Sequence, residues 1–277
     1  MNFLPKIDYP DNEKPKLASL ENLFREWHQH FTSTGLALEK HRADDMVFDG
    51  FYPHYFSQKK RILFIGREAR GISGDNYIDV LYPVYRGEKK QWSLNASKFH
   101  SRMFYIAYGI LNGMPEWKDI PYATKIGDTF GTASGLSFAF MNISKLSNDS
   151  ERWQSDWGVI NAAHSLSTQG RSYNLEEVAI LEPDIVITMG LKEKIVSLGK
   201  LTPIHASDLA RFFWLDSGGH RSLLIDTKFH FSAFTKNDVS DFYTPICDGL
   251  RHSEMIAIVE QKGINQILKK ETPSNQN

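Results

Sequence analysis

A single cysteine, Cys247, stands in 277 residues. That excludes an intrachain disulfide and any cluster held by several thiolates, and it fits a reduced intracellular compartment. Neither sign of charge is in excess: 32 Lys and Arg face 33 Asp and Glu, for a net charge of -1. A global basic footprint for nucleic acid is therefore absent. No apolar run approaches membrane-spanning length. The N-terminal MNFLPKIDYPDNEKPK lacks the basic-then-apolar pattern of a signal peptide. The expectation is a cytoplasmic protein with no membrane partner.

Several motifs are missing as well. A dinucleotide fingerprint needs G-x-G-x-x-G, and Gly66, Gly71 and Gly74 do not fit it. Gly66, Gly71 and Ser73 have the spacing of a phosphate-binding loop, but Ile72 replaces the lysine that reaches the phosphates. There is no G-x-S-x-G nucleophile elbow. His28 and His30 alternate on a predicted helix and point different ways, and no H-E-x-x-H or Cys/His cluster occurs. Neither a metal nor another cofactor is expected.

What is present is an ordinary globular composition, 41% hydrophobic and 23% charged, with length for one large domain or two small ones. Without a clear linker or repeat, one domain spanning 1–277 is expected, with an N-terminal extension (1–58) and a helical C-terminal segment (240–270). Pro5, Pro10 and Pro15 mark residues 1–15 as an extended arm. Leu17, Leu20, Leu23, Phe24, Trp27 and Phe31 recur at helical spacing. The aromatic stretch Phe48, Phe51, Tyr52, Tyr55 and Phe56 reads as cover for a sheet edge rather than as a base-stacking platform. Lys59, Lys60, Arg61, Arg67 and Arg70, followed by Arg86, Lys89 and Lys90, read chiefly as solvated loop charge.

Four strand-length apolar runs, Ile62–Ile65, Leu136–Met141, Ile185–Met189 and Leu223–Ile225, are separated by helical patterns at Phe99–Leu111, Leu175–Leu181 and Leu191–Leu198. Such alternation predicts a parallel sheet with crossover helices; Tyr77–Ala96 reads as a loop insertion. In such sheets ligands sit beyond the carboxyl ends of the strands. The first run ends in Gly66-Arg67-Glu68-Ala69-Arg70-Gly71, the second in Asn142-Ile143-Ser144-Lys145 and the fourth in Asp226, with His230 and Ser232 shortly after. A carboxylate, a carboxamide and an imidazole would then share one sheet edge, as a hydrolytic pocket requires.

These segments, in this order, resemble the uracil-DNA glycosylase superfamily. FIGREARG is similar to its first motif, FAFMNISKLS to the strand whose terminal asparagine reads the base, and LLIDTKFHFSAF to its His-Pro-Ser motif. EPDIVITMG resembles the intervening strand that ends in glycine. Departures are Ala69 and Arg70 in the region of a proline, Glu68 for aspartate or asparagine, and Phe231 for proline. The resemblance implies a three-layer α/β/α sandwich around a short, mainly parallel four-stranded sheet, and hydrolysis of the N-glycosidic bond of a base in DNA. It implies that Glu68 orients water, Asn142 reads the base and His230 stabilises the leaving group. Gly66, Arg67, Arg70, Gly71, Tyr77 and Ser232 would complete the substrate site, with Tyr77, Phe138 and Phe140 as stacking candidates. The alternative is an inactive member of the fold that binds nucleotide, nucleic acid or protein. An α/β protein of another kind would leave Glu68, Asn142 and His230 apart.

Overall fold

The computed structural model describes residues 3–35, 40–89, 91–148, 154–233, 242–254 and 257. Its centre is a seven-stranded sheet in the order β1-β3-β2-β4-β7-β6-β5. The strands are β1 (Gly50–Phe51), β2 (Ile62–Gly66), β3 (Ala139–Asn142), β4 (Ile185–Met189), β5 (Lys200–Ala206), β6 (Ala210–Ser217) and β7 (His220–Thr227). The four predicted runs form the parallel quartet β3-β2-β4-β7. The sheet is nevertheless larger than the four strands expected. β1 adds antiparallel to β3, and β6 with β5 extends the other edge antiparallel from β7.

The quartet is an apolar run because both of its faces are covered. Side chains alternate across a strand, so Ile62 and Phe64 enter one core while Leu63 and Ile65 enter the other. All four are fully buried, each worth about 1.5–3 kcal/mol relative to exposure. The first face is covered by α2 (Tyr77–Tyr85), α3 (Lys98–Leu111), α4 (Ala123–Gly127) and a C-terminal helix, α7, over 244–254. The second is covered by α1 (Lys14–Thr34), α5 (Trp157–Ser167) and α6 (Tyr173–Leu181).

The predicted stripe of α1 is the stripe that is buried, from Leu17 to Phe31. Pro15 is not part of an arm. It occupies the first turn of α1, where its missing N–H costs nothing. Within 1–58, Phe48, Phe51, Tyr52 and Tyr55 are all core residues, as the edge-cover reading requires. Tyr77–Ala96 is not a plain loop. The Asn76 side chain accepts the Ile78 N–H at 2.9 Å and starts α2. The helix expected at Leu191–Leu198 is a 3-10 segment, Lys192–Leu198. Of the expected helix at 240–270, residues 240–241, 255–256 and 258–270 lie outside the described residues. No described helix is long and apolar enough to cross a membrane.

Candidate functional site

Parallel register brings the strand ends together. Gly66, closing β2, pairs with Asn142, closing β3, and Met189, closing β4, pairs with Thr227, closing β7. Beyond this edge opens a cavity of about 1070 Å³. Glu68, Asn142 and His230, separated by 74 and 88 residues in sequence, all line it. Arg67, Arg70, Tyr77 and Ser232 line it too. The two predicted glycines do not. Gly66 lies beneath, where a Cβ would meet Asn142 Oδ1 at 2.8 Å, and a Cβ on Gly71 would meet nothing within 4 Å.

Asn142 is 1% exposed, and its Nδ2 has no hydrogen-bond partner. Buried polar groups are nearly always satisfied, because an orphan forfeits its water without replacement. A buried carboxamide at a cavity wall with an idle donor is therefore equipped for a ligand acceptor. Its backbone N–H is not idle: it donates to Asp49 Oδ2 at 2.7 Å. Phe140, on the same strand and also at the cavity wall, stacks on Tyr77 with centroids 4.6 Å apart and planes 14° apart. Phe138 is wholly core.

His230 is set by its neighbours. The Ser232 hydroxyl lies 2.6 Å from Nδ1, and the Ser232 backbone N–H donates to the same nitrogen at 3.3 Å. A backbone N–H can only donate, so Nδ1 is the acceptor. Burial, reinforced by the Arg67 charge, pushes the imidazole down to about 4. At neutral pH the ring is thus uncharged with its proton on Nε2. Phe99 stacks on it at 5.0 Å and 13°.

Glu68 is half-buried, and burial raises its carboxyl above the usual range. Hydrogen bonds from Ser155 and Asn148, the Arg67 charge and the Asp156 backbone N–H act in the opposite direction. Asn148 Nδ2 reaches Oε1 at 3.5 Å, while Oε2 is buried without a partner. Arg67 donates from Nε to the Gly190 carbonyl at 3.2 Å and from Nη1 to Ser155 Oγ at 3.3 Å. Gly190 has φ +66, and a Cβ there would fall 2.6 Å from Arg67 Nη2; the glycine that ends β4 makes room for this guanidinium.

Two parts of the site escape the sequence reading. His100, at the start of α3, lines the cavity with its Nδ1 2.6 Å from the Tyr85 hydroxyl. Burial, with the charge of a protonated His230 as a second cause, pushes it down to about 3. The other part is Trp157, the first residue of α5. Lys192 Nζ lies 4.1 Å from its ring centroid, the Arg67 guanidinium 5.1 Å and Lys194 Nζ 5.7 Å. In the predicted basic run of eight cations, three form ion pairs among the described residues: Lys60 with Glu254, Arg61 with Glu182 and Asp184, and Arg86 with Glu88; Lys90 lies outside the described residues. Among the described residues no three His, Cys, Asp or Glu side chains gather so as to hold a metal ion.

The chemistry available at this cavity is therefore a neutral imidazole donor, a buried carboxamide, a half-buried carboxylate and an aromatic wall. No family model matches the chain, and no curated protein matches it.

Proposed function

We propose that this protein is a divergent hydrolase of the uracil-DNA glycosylase type, a three-layer α/β/α sandwich that cleaves the N-glycosidic bond of a deaminated or damaged base in DNA in the cytoplasm. The observation that carries the reading is the meeting of Glu68, Asn142 and His230 around one cavity. As the C1′–N bond breaks, its electron pair leaves with the base and positive charge develops on the sugar. The Nε2–H of His230 donates to the base as it becomes an anion, which is stabilisation of charge where it appears. A neutral donor suits this task, since it takes no proton from solution beforehand. Asn142 Nδ2 offers its idle donor to a base acceptor, and the Tyr77–Phe140 pair supplies the apolar wall. Glu68 orients a water whose oxygen bonds to C1′ and whose proton the carboxylate accepts.

The reading is tested by single-turnover base release from uracil-containing single- and double-stranded oligonucleotides. Glu68→Gln and His230→Ala are expected to slow release by about 10²-fold or more each, the usual scale for lost acid–base or electrostatic groups. Full activity of the double variant removes both assigned roles. A non-catalytic reading draws on one observation, that Glu68 is already engaged by Asn148, Ser155 and the Asp156 N–H. Under it, oligonucleotides or free bases bind and no base is released.

A further inference from the structure

Outside the cavity, one cluster of charge is wholly buried. Lys145 follows Asn142 by three residues, Asp49 immediately precedes β1, and Glu177 lies in α6. Lys145 Nζ is 2.5 Å from Asp49 Oδ1 and 2.7 Å from Glu177 Oε2, and none of the three side chains has solvent exposure. The ammonium also lies 5.1 Å from the Trp27 ring centroid and 5.6 Å from that of Phe24, both on α1. The second oxygen of Asp49 accepts the Asn142 backbone N–H at 2.7 Å. One carboxylate thus joins the buried ammonium to the backbone of the residue whose carboxamide Nδ2 is idle at the cavity wall.

We infer that Asp49, held by Lys145 and Glu177, is a positioning residue for Asn142, fixing the depth and heading of its carboxamide against the base. This inference rests on the glycosylase-type reading for the identity of the ligand, not for the geometry. Buried ion pairs are inefficient as glue, because apolar side chains of like volume stabilise as well or better. A directional bond to one backbone N–H at a site is what an apolar replacement could not reproduce. β1 pairs with β3 through only Gly50↔Phe140 and Phe51↔Ala139, so the ladder stops short of Asn142 and Asp49 continues it.

The proton count determines which variants keep the fold. Two carboxyl groups flank one ammonium. Burial, together with the Asp49 charge and against the pull of Lys145, raises the Glu177 carboxyl well above its usual range. Both Asp49 oxygens accept hydrogen bonds, from the Lys145 ammonium and from the Asn142 backbone N–H, so a proton that neutralises the cluster sits on Glu177. Glu177→Gln imitates that protonated form. In Asp49→Asn the Glu177 carboxylate is left to neutralise Lys145; the asparagine Oδ1 can accept the Asn142 N–H, but its Nδ2 then faces the Lys145 ammonium donor to donor, which weakens that bond without abolishing it. Asp49→Ala removes the acceptor altogether.

The experiment measures base release per folded molecule from a uracil-containing oligonucleotide, with the folded fraction taken from NMR. The expected order is Glu177→Gln within about twofold of the natural protein, Asp49→Asn several-fold slower, and Asp49→Ala about tenfold or more slower; misplacement on the order of 1 Å can cost a hundredfold. The Asn142 side-chain amide resonances, assigned by their loss in Asn142→Ser, should move in Asp49→Ala and hold still in Glu177→Gln. Unchanged resonances in folded Asp49→Ala overturn the inference, as does an unchanged rate per folded molecule. If the natural protein releases no base, the hydrolytic reading fails. The same resonances, followed with and without free uracil, then decide the positioning role alone: altered by Asp49→Ala they support it, unaltered they overturn it.

Discussion

Protonation of the cavity is the sharpest perturbation that the structure allows to be worked through. His230 is pushed from 6.5 to about 4 and His100 from 6.5 to about 3. Each ring is neutral in the folded protein at pH values where the unfolded chain would already bind a proton. For a folded-state value below the unfolded one, the stability contribution is complete above pH 6.5. It is lost as pH falls toward 4 for His230 and toward 3 for His100. At about 1.4 kcal/mol per pH unit, the His230 shift corresponds to on the order of 3 kcal/mol, reduced to about 1–2 kcal/mol by solvent screening at the cavity. The two contributions are not additive, because the charge of His230 is one cause of the His100 shift. Glu68, Glu13 and Asp79 have raised carboxyls and act with the opposite sign, gaining stability as pH falls. The histidine signal must therefore be read directly. Ten histidines are present, so the two Cε1–H resonances are assigned by their loss in His100→Gln and His230→Gln. Between pH 8 and pH 5 the His100 resonance should hold still and that of His230 should move by no more than about a tenth of its full excursion. Titration of either with a midpoint above about pH 6 would refute the neutral-donor assignment and the mechanism that depends on it.

Gly190→Ala places a Cβ in the left-handed region, at about 1–2 kcal/mol, and drives Arg67 from the Gly190 carbonyl. Chemical denaturation should show that loss, and the His230 resonance should titrate at higher pH as the Arg67 charge recedes; an unchanged denaturation midpoint contradicts the packing argument. Lys192→Glu, on an exposed side chain beside Trp157, should weaken binding of a single-stranded oligonucleotide more at low salt than at high salt. Removing one phosphate contact flattens log K against log salt by about 0.7, and equal slopes for the two proteins would show that the Trp157 cations do not meet the strand.

The parallel quartet was legible because strands covered on both faces must be apolar throughout, and Ile62–Ile65 and Ile185–Met189 contain little else. β5 and β6 were not legible for the converse reason. β5 is half exposed and carries Lys200, Thr202 and Pro203, so it has neither a run nor a clean alternation. A local signal for the hairpin did exist: Gly218 and Gly219 both have positive φ and join Ser217 to His220 in a two-residue turn. The helices at Tyr77 and Trp157 also carried signals in their caps, Asn76 and Asp156. Short length and Pro83 masked the first.

The site divides along the same physical line. Glu68, Asn142 and His230 could be placed because each lies at or within three residues of the end of a strand, and a parallel sheet sends all of its strand ends to one edge. What holds Asn142 at the cavity wall could not be placed that way. Its backbone N–H bonds to Asp49, 93 residues earlier in the chain, and Asp49 pairs with Lys145, which pairs in turn with Glu177 on α6. Composition hid the cations by the same mechanism. A net charge of -1 sums over the chain, whereas Arg67, Lys192 and Lys194, the last paired with Glu193 at 3.1 Å, are brought to Trp157 from two strand ends. Screening cuts off distant charges within about 8–10 Å at physiological salt, so a ligand at this edge senses the nearby charges, Arg67 and Glu68 among them, and not the chain's sum.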